Sequence, residues 1–355
     1  MNVASKKQKS LSGANPWQIN QDDFPHDGST AVKFQFLLNY AVLAPSGRNT
    51  QPWRFQIVDD VVELYADKTR ALADPDFREL VISCGAALFH LRIAIRHFGY
   101  QDLVEIFPES LNSQLLARIR LGSRRIVKVE ENFLFRAILR RSTNRLPFNS
   151  RKLSASLISE LESATCSEGD WLQIMTKEIP VASREAIINL IAQGDRLQMS
   201  DPLFRQELAQ WIHSSNRNRP RHDGMSAQAQ ALNDRLDVIA PLISFAVRAF
   251  TLSKTQAQDD HKLTKNAPTL IMISSRGDTM RDWLATGEAL AHLLLRARVD
   301  DVWASFFNQP IEIPQLRSRL QNLFPENGFP QILLRLGYSQ VTDTTPRRAV
   351  AEFTQ

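Results

Sequence analysis

Apolar residues mark the first element of the chain. Phe34, Leu37, Leu38, Ala41 and Val42 recur at helical spacing, which predicts an amphipathic helix over about 31–44. Pro45 ends it, by its own geometry and by its restraint on the residue before it. After a run of small polar residues, Arg54-Phe55-Gln56-Ile57-Val58 alternates with the period of a strand, so strands are expected at about 54–59 and 61–66. The same reading gives a helix at about 79–98, strands near 103–107 and 116–122, and a helix from about 131. That helix ends at Arg140-Arg141-Ser142-Thr143-Asn144-Arg145, where Pro147 bars continuation. A second series follows: a helix after Ser154, a strand at 171–176, a helix at about 183–199, an irregular polar stretch from Asp201 to Asp223 and a helical pattern over 226–252. It closes with a strand at 269–274, a helix at about 283–298, a strand near 302–306, a short helix after Pro314 and a strand at 331–336. Helices and strands in this order make an α+β pattern with few parallel crossovers.

The two series echo each other. Gly85-Ala86-Ala87-Leu88 with Leu91 returns 202 residues later as Gly287-Glu288-Ala289-Leu290 with Leu293. Leu121-Gly122 returns 215 residues later as Leu336-Gly337. Short apolar patterns coincide readily, so the residues by themselves leave duplication open.

A chain of 355 residues buries a large core and allows two domains or one duplicated unit. The formal charge of +5 is modest, and its basic residues are spread, with pairs at Arg124-Arg125, Arg140-Arg141 and Arg347-Arg348 and a group from Arg217 to Arg221. Without a recognition motif this argues against nucleic acid and for small anionic ligands. Cys84 and Cys166 have neither disulfide-framework nor metal spacing, which fits a reducing, cytoplasmic setting. The longest apolar run, Val238 to Leu252, is broken by Pro241, Ser244 and Arg248, and no membrane association is expected. Residues 1–30 read as a polar arm anchored by Trp17 and Ile19, with lysines but no apolar core of a signal peptide. The seven histidines show no metal spacing, and His90 and His97 read as packed or surface residues.

The candidate chemistry starts at Ala44-Pro45-Ser46-Gly47-Arg48-Asn49-Thr50-Gln51-Pro52-Trp53. Glycine and asparagine there let the backbone and short side chains approach a flat hydrogen-bonding ligand, although the same residues serve a plain helix-to-strand turn. The pattern A-P-S-x-x-N-x-Q-P-W-x-F resembles the flavin-contacting segment of the FMN-dependent nitroreductases. Asp67, Arg70, Leu72, Asp74-Pro75, Arg78-Glu79-Leu80 and Ser83-Cys84-Gly85-Ala86-Ala87-Leu88 narrow the resemblance to the Acg-like subfamily, which carries two nitroreductase-like halves in one chain.

The resemblance implies a nitroreductase-like α+β fold, duplicated as an intramolecular pseudo-dimer with mixed or antiparallel sheets flanked by helices. Residues 1–30 would be the arm, 31–130 the first half, and 131–355 the second half with a lid-like insertion at about 201–265. The cofactor would be FMN. Pro45, Ser46, Gly47, Asn49 and Gln51 would meet it from the first half. Arg141-x-Thr143-x-Arg145 resembles the family's R-x-[S/T]-x-[R/K] signature: Arg141 and Thr143 would reach phosphate or ribityl, and Arg145 the pyrimidine edge, where reduction leaves negative charge. Arg140 and Ser142 offer a shifted frame, and a basic helix end is the alternative reading. Arg347 and Arg348 would add phosphate contacts, unless they form a solvated tail, and Asn308 and Gln309 would lie beside flavin N5, unless they are turn residues. No metal and no catalytic side chain is implied, since flavin N5 carries the hydride.

The loop stands only in the first half and the arginine signature only in the second, so one complete site per chain is expected and a monomer is allowed. The reading is an oxidoreductase passing hydride from NAD(P)H through FMN to a nitro, quinone or similar small acceptor. The alternative is FMN storage or sequestration under a lid, and a third reading keeps the fold as a flavin-free scaffold.

Overall fold

The computed structural model describes residues 15–72, 74, 76–109, 114–166, 172–175, 181–213, 222–226 and 269–354. Nine α-helices occur among them: α1 (Thr30–Ala41), α2 (Arg78–His97), α3 (Val129–Ile138), α4 (Ala155–Cys166), α5 (Val181–Ser200), α6 (Pro202–Trp211), α7 (Met280–Val299), α8 (Gln309–Glu312) and α9 (Pro314–Asn322). The strands are β1 (Trp53–Val58), β2 (Val61–Ala66), β3 (Tyr100–Ile106), β4 (Leu115–Arg124), β5 (Leu172–Met175), β6 (Ile212–His213), β7 (Met225–Ser226), β8 (Thr269–Ser275), β9 (Trp303–Phe306) and β10 (Phe329–Gly337).

Local chemistry fixes these ends. Ser29 accepts the Val32 amide to start α1, and Thr279 with Asp282 forms a capping box on α7. Glu79 at the start of α2 and Arg96 and His97 at its end complement the helix dipole. Asp59, at φ 52°, turns β1 back onto β2.

Two four-stranded antiparallel sheets have the orders β1-β2-β4-β3 and β5-β8-β10-β9. When β1, β2, β3 and β4 are matched in turn to β5, β8, β9 and β10, the two orders are identical. Helices α2 and α7 match as well, each of 20 residues and offset by 202. They cross backbone to backbone at Gly85 and Gly287. A methyl on Gly85 would sit 2.0 Å from the Leu284 carbonyl oxygen, and one on Gly287 would sit 2.0 Å from that of Ile82. Only glycine permits that approach. By length and composition α2 resembles a membrane span, yet it lies buried in the core against α1, α3 and α7.

Two crossings tie the halves together and carry the candidate arginines. Phe55 on β1 donates its amide to Phe353 at 2.9 Å, so the end of the chain lies along the first sheet. After α3 the chain bridges β9 at Thr143 and Ala304, with the Asn144 amide donating to Ala304 at 3.0 Å.

Three expectations need comment. Of the stretch expected to be irregular, Pro202–Trp211 is helical, because Asp201 caps Leu203 and Pro202 occupies the first turn, and residues 214–221 lie outside the described residues. The arm packs from residue 15 onward: the Trp17 indole donates to the Thr345 carbonyl at 2.9 Å, and Phe24 stacks on Phe98. The helix expected over 226–252, and the rest of the insertion to 265, lie outside the described residues except Ser226 in β7.

Candidate functional site

The loop after α1 is held in an uncommon conformation. Arg48, Asn49 and Gln51 have φ of 45°, 57° and 50°, and of these only asparagine visits that region readily. The cost is on the order of 1–3 kcal/mol per residue, which surrounding contacts must offset. Ser46 Oγ accepts the Gln51 amide at 3.0 Å, and Arg70 Nε donates to the Thr50 carbonyl at 2.6 Å. Asn49 Nδ2 donates to the carbonyls of Gly224 (2.9 Å) and Pro346 (3.0 Å), while its Oδ1 accepts from Arg347 at 2.8 Å. Gln51 Nε2 donates to the His222 carbonyl at 2.8 Å, and its Oε1 accepts the Arg348 amide at 3.0 Å. The Asn49 and Gln51 side chains are thus held by backbone from residues 222–224 and 346–348 and by the Arg347 guanidinium.

Arg141 and Arg347 meet behind this loop, at the C-terminal end of α1. Arg141 is 4% exposed and, among the described residues, makes one hydrogen bond, to the Leu43 carbonyl at 3.4 Å, with Nε unpartnered. Arg347 is 5% exposed and donates to Asn49, Ala44, Thr345 and Pro346, again with Nε unpartnered. His90 joins them through Nδ1, 3.3 Å from the Tyr40 carbonyl. Among the described residues no carboxylate pairs with either arginine. Burial pulls Arg141 down to about 10, and burial, then the Arg141 charge, holds Arg347 well below the ordinary arginine range. His90 is pulled down to about 3 by burial first and by Arg141 next. Capping a helix C-terminus with a cation contributes at most about 2 kcal/mol, whereas burying an ion costs several. Helix capping alone does not account for two buried guanidiniums.

The remaining expected residues divide. Pro45 is buried at the loop's entry, and Gly47 donates its amide to Ser83 Oγ at 3.4 Å. Thr143 is half-buried on the β9 bridge, and an Arg145 nitrogen lies 3.5 Å from Met225 Sδ. The shifted frame leads elsewhere: Arg140 faces Asp301 and the Arg298 carbonyl, and Ser142 faces Thr342. Arg348 turns to Glu352 and stacks on Phe353. Asn308 Oδ1 accepts the Leu333 amide, and Gln309 donates to Asp195 on α5, so neither side chain joins the arginine pair.

Sequence reasoning missed several neighbours. Glu79 lies under Gly47, where an added methyl would be 3.3 Å from its Oε2. Burial, then the Glu312 charge, pushes its carboxyl up to about 8. A cavity of about 10 Å³ between Gly47, Thr50, Arg70, Glu79 and Ser83 has room for one water. Glu79 stood in the sequence only as part of the Arg78-Glu79-Leu80 resemblance, and an acid in a helix's first turn otherwise reads as a dipole partner. The described part of the insertion covers the loop: Arg48 pairs with Glu207 at 3.0 Å and stacks on Phe204, and Arg70 pairs with Asp223 and lies over Trp211. Arg48 and Arg70 stood in the quoted motifs, but no role for either side chain could be read from the sequence.

No protein-family model matches the chain. The resemblance to the nitroreductase superfamily, and within it to Acg-like proteins, nevertheless extends over nearly its whole length. The chain is 29% identical over 325 residues to a Mycobacterium tuberculosis protein provisionally named NAD(P)H nitroreductase, covering 89% of each. It is 27% identical over 322 residues to the M. tuberculosis protein provisionally named NAD(P)H nitroreductase acg, covering 88% of this chain and 92% of that one. Among solved structures, the FMN-dependent nitroreductase NfnB of Mycobacterium smegmatis, in complex with NADPH, aligns with a TM-score of 0.39 and 13% identity, over 63% of this chain and 97% of that one.

Proposed function

We propose that this chain is an FMN-dependent oxidoreductase that accepts hydride from NAD(P)H and reduces a nitro, quinone or similar small acceptor. One observation carries the reading: two buried guanidiniums, with no carboxylate partner among the described residues, lie beside a strained polar loop. A phosphate monoester supplies the missing negative charge in a form that guanidinium binds well. Each charged hydrogen bond contributes about 1.5–3 kcal/mol. FMN, when bound, supplies the hydride chemistry at N5. Arg141 and Arg347 would hold its phosphate, Thr143 the ribityl, Arg145 the pyrimidine edge, and residues 45–51 the ring from the first half. Asn308 and Gln309 belong to the same proposal on resemblance alone.

The site takes its loop from residues 31–130 and its arginines from residues 131–355, which we read as two halves of an intramolecular pseudo-dimer with one working site. Titration of flavin-free protein with FMN should saturate near one flavin per chain and give NAD(P)H-dependent reduction of a quinone or nitroaromatic. Saturation at two, or no flavin binding, would overturn it.

A second reading, FMN storage with little turnover, is favoured by the insertion seated on the loop through Glu207, His222, Asp223 and Gly224. Tight FMN binding without NAD(P)H oxidation, whatever the acceptor, would select it.

A further inference from the structure

His90 is the one member of the buried cluster that the flavin reading leaves without a task. It is fully buried in the middle of α2. Its Nδ1–H donates to the Tyr40 carbonyl, which leaves Nε2 with a lone pair and, among the described residues, no partner. The carbonyls that hold His90, Arg141 and Arg347 belong to Tyr40, Leu43 and Ala44, so the three side chains converge on one helix end. Among the described residues, the charged groups facing His90 are Arg141, from the segment after α3, and Arg347, from the C-terminal segment; α1 presents the Tyr40 carbonyl, and no acidic group contributes.

We propose that His90 is a third member of the phosphate subsite, and that binding of the FMN phosphate takes up one proton, shared between a phosphate oxygen and His90 Nε2. The inference rests on the flavin reading above. A phosphate oxygen and a neutral imidazole nitrogen are both acceptors, and two buried acceptors in contact are satisfied only with a proton between them. Without an anion, burial and two guanidinium charges keep His90 neutral. The second ionisation of a phosphate monoester lies near pH 6, so at neutral pH FMN arrives as the dianion. Its two charges offset those of Arg141 and Arg347, which removes their share of the penalty on a proton at Nε2, and a charged hydrogen bond from Nε2 to the phosphate opposes the share due to burial.

The sign follows from linkage. The complex holds a proton that neither free partner holds above about pH 6, so affinity weakens as pH rises, about tenfold per unit. Below that pH the free phosphate already carries the proton, and affinity levels off.

The test measures FMN and riboflavin affinity for the full-length flavin-free chain from about pH 5.5 to 8.5, in the wild type, His90→Gln and His292→Gln. His292 occupies the matching position of α7 and stacks on Phe89. Wild type and His292→Gln should show the tenfold-per-unit slope for FMN and none for riboflavin. His90→Gln, whose amide donates to the dianion directly, should lose it. A slope that survives His90→Gln would belong to the arginines and overturn the inference, as would a flat wild-type profile. Should His90→Gln not fold, calorimetry of wild type at neutral pH in two buffers of different ionisation heat counts the protons: one supports the inference, none overturns it. Failure of both flavins to bind at any pH would instead defeat the flavin reading itself.

Discussion

The crossing of α2 and α7 and the site behind α1 answer to different rules. At the crossing the halves contribute alike, with Gly85 against Gly287 and each helix 20 residues long. At the site they contribute unlike pieces, a strained polar loop from one and two buried arginines from the other. A packed core tolerates symmetry because both partners want the same apolar contact. A site for a lopsided ligand, anionic at one end and flat at the other, needs different chemistry from its two walls, which fits the single site per chain proposed above.

Breaking the symmetric region should have the largest effect. Gly85→Ala and Gly287→Ala should each destabilise the protein by about 3 kcal/mol, because the added methyl meets helix backbone that cannot rotate away. Urea unfolding measures both, and the comparison expects similar losses. A neutral substitution at either position would mean that the helices do not approach this closely.

The asymmetric region should respond in opposite directions with and without ligand. Arg141→Met replaces a buried, nearly unpartnered cation by an apolar chain of similar reach, so the flavin-free protein should gain thermal stability. The same change should weaken FMN by about 1.5–3 kcal/mol and leave riboflavin nearly untouched. A variant that is less stable without flavin, or that loses both flavins equally, would make Arg141 a structural residue. Arg347 differs, since its bonds to Asn49 and Ala44 support the loop. Its removal should cost stability as well as affinity.

Glu79 tests the floor of the loop by pH. Its carboxyl is raised in the folded protein, so the folded state keeps a proton that the unfolded chain releases from about pH 4.5. Stability should therefore fall as pH rises from there to about 8, and level off beyond. Glu79→Gln should flatten that profile, with its largest advantage in melting temperature at the alkaline end. Parallel profiles for the two proteins would show Glu79 charged in the folded state.

Much of this architecture was legible because periodicity and capping are local. The helix ending before Pro45, the β1–β2 hairpin and the repeated glycine helices could be read from the chain, with ends displaced by a few residues. The convergence of Tyr40, His90, Arg141 and Arg347 could not, since it depends on two crossings between sequence-distant segments. Asn308 and Gln309 show the reverse limit: resemblance marks them for a ligand, while their contacts to Leu333 and Asp195 appear only once the chain is packed. Helix α6 was hidden for a third reason, a polar surface that obscured the cap at Asp201.

The smallest effect concerns the insertion that rests on the loop. Arg48 and Glu207 form a partly shielded ion pair, and exchanging its charged hydrogen bond for a neutral one of the same shape should cost about 1 kcal/mol. Glu207→Gln keeps the shape of the contact and removes the charge, and Arg48 retains Phe204 beneath it. Global stability should barely change. If the insertion closes over FMN, however, loosening its contact stabilises the open form by that same amount, so FMN should dissociate up to about fivefold faster. Under the oxidoreductase reading, reduction by NAD(P)H should quicken in step, since the nicotinamide must reach the flavin through the same opening. Under the storage reading only dissociation changes. Stopped-flow measurement of both rates separates the readings, and an unchanged dissociation rate would mean that α6 rests on the loop without covering the flavin.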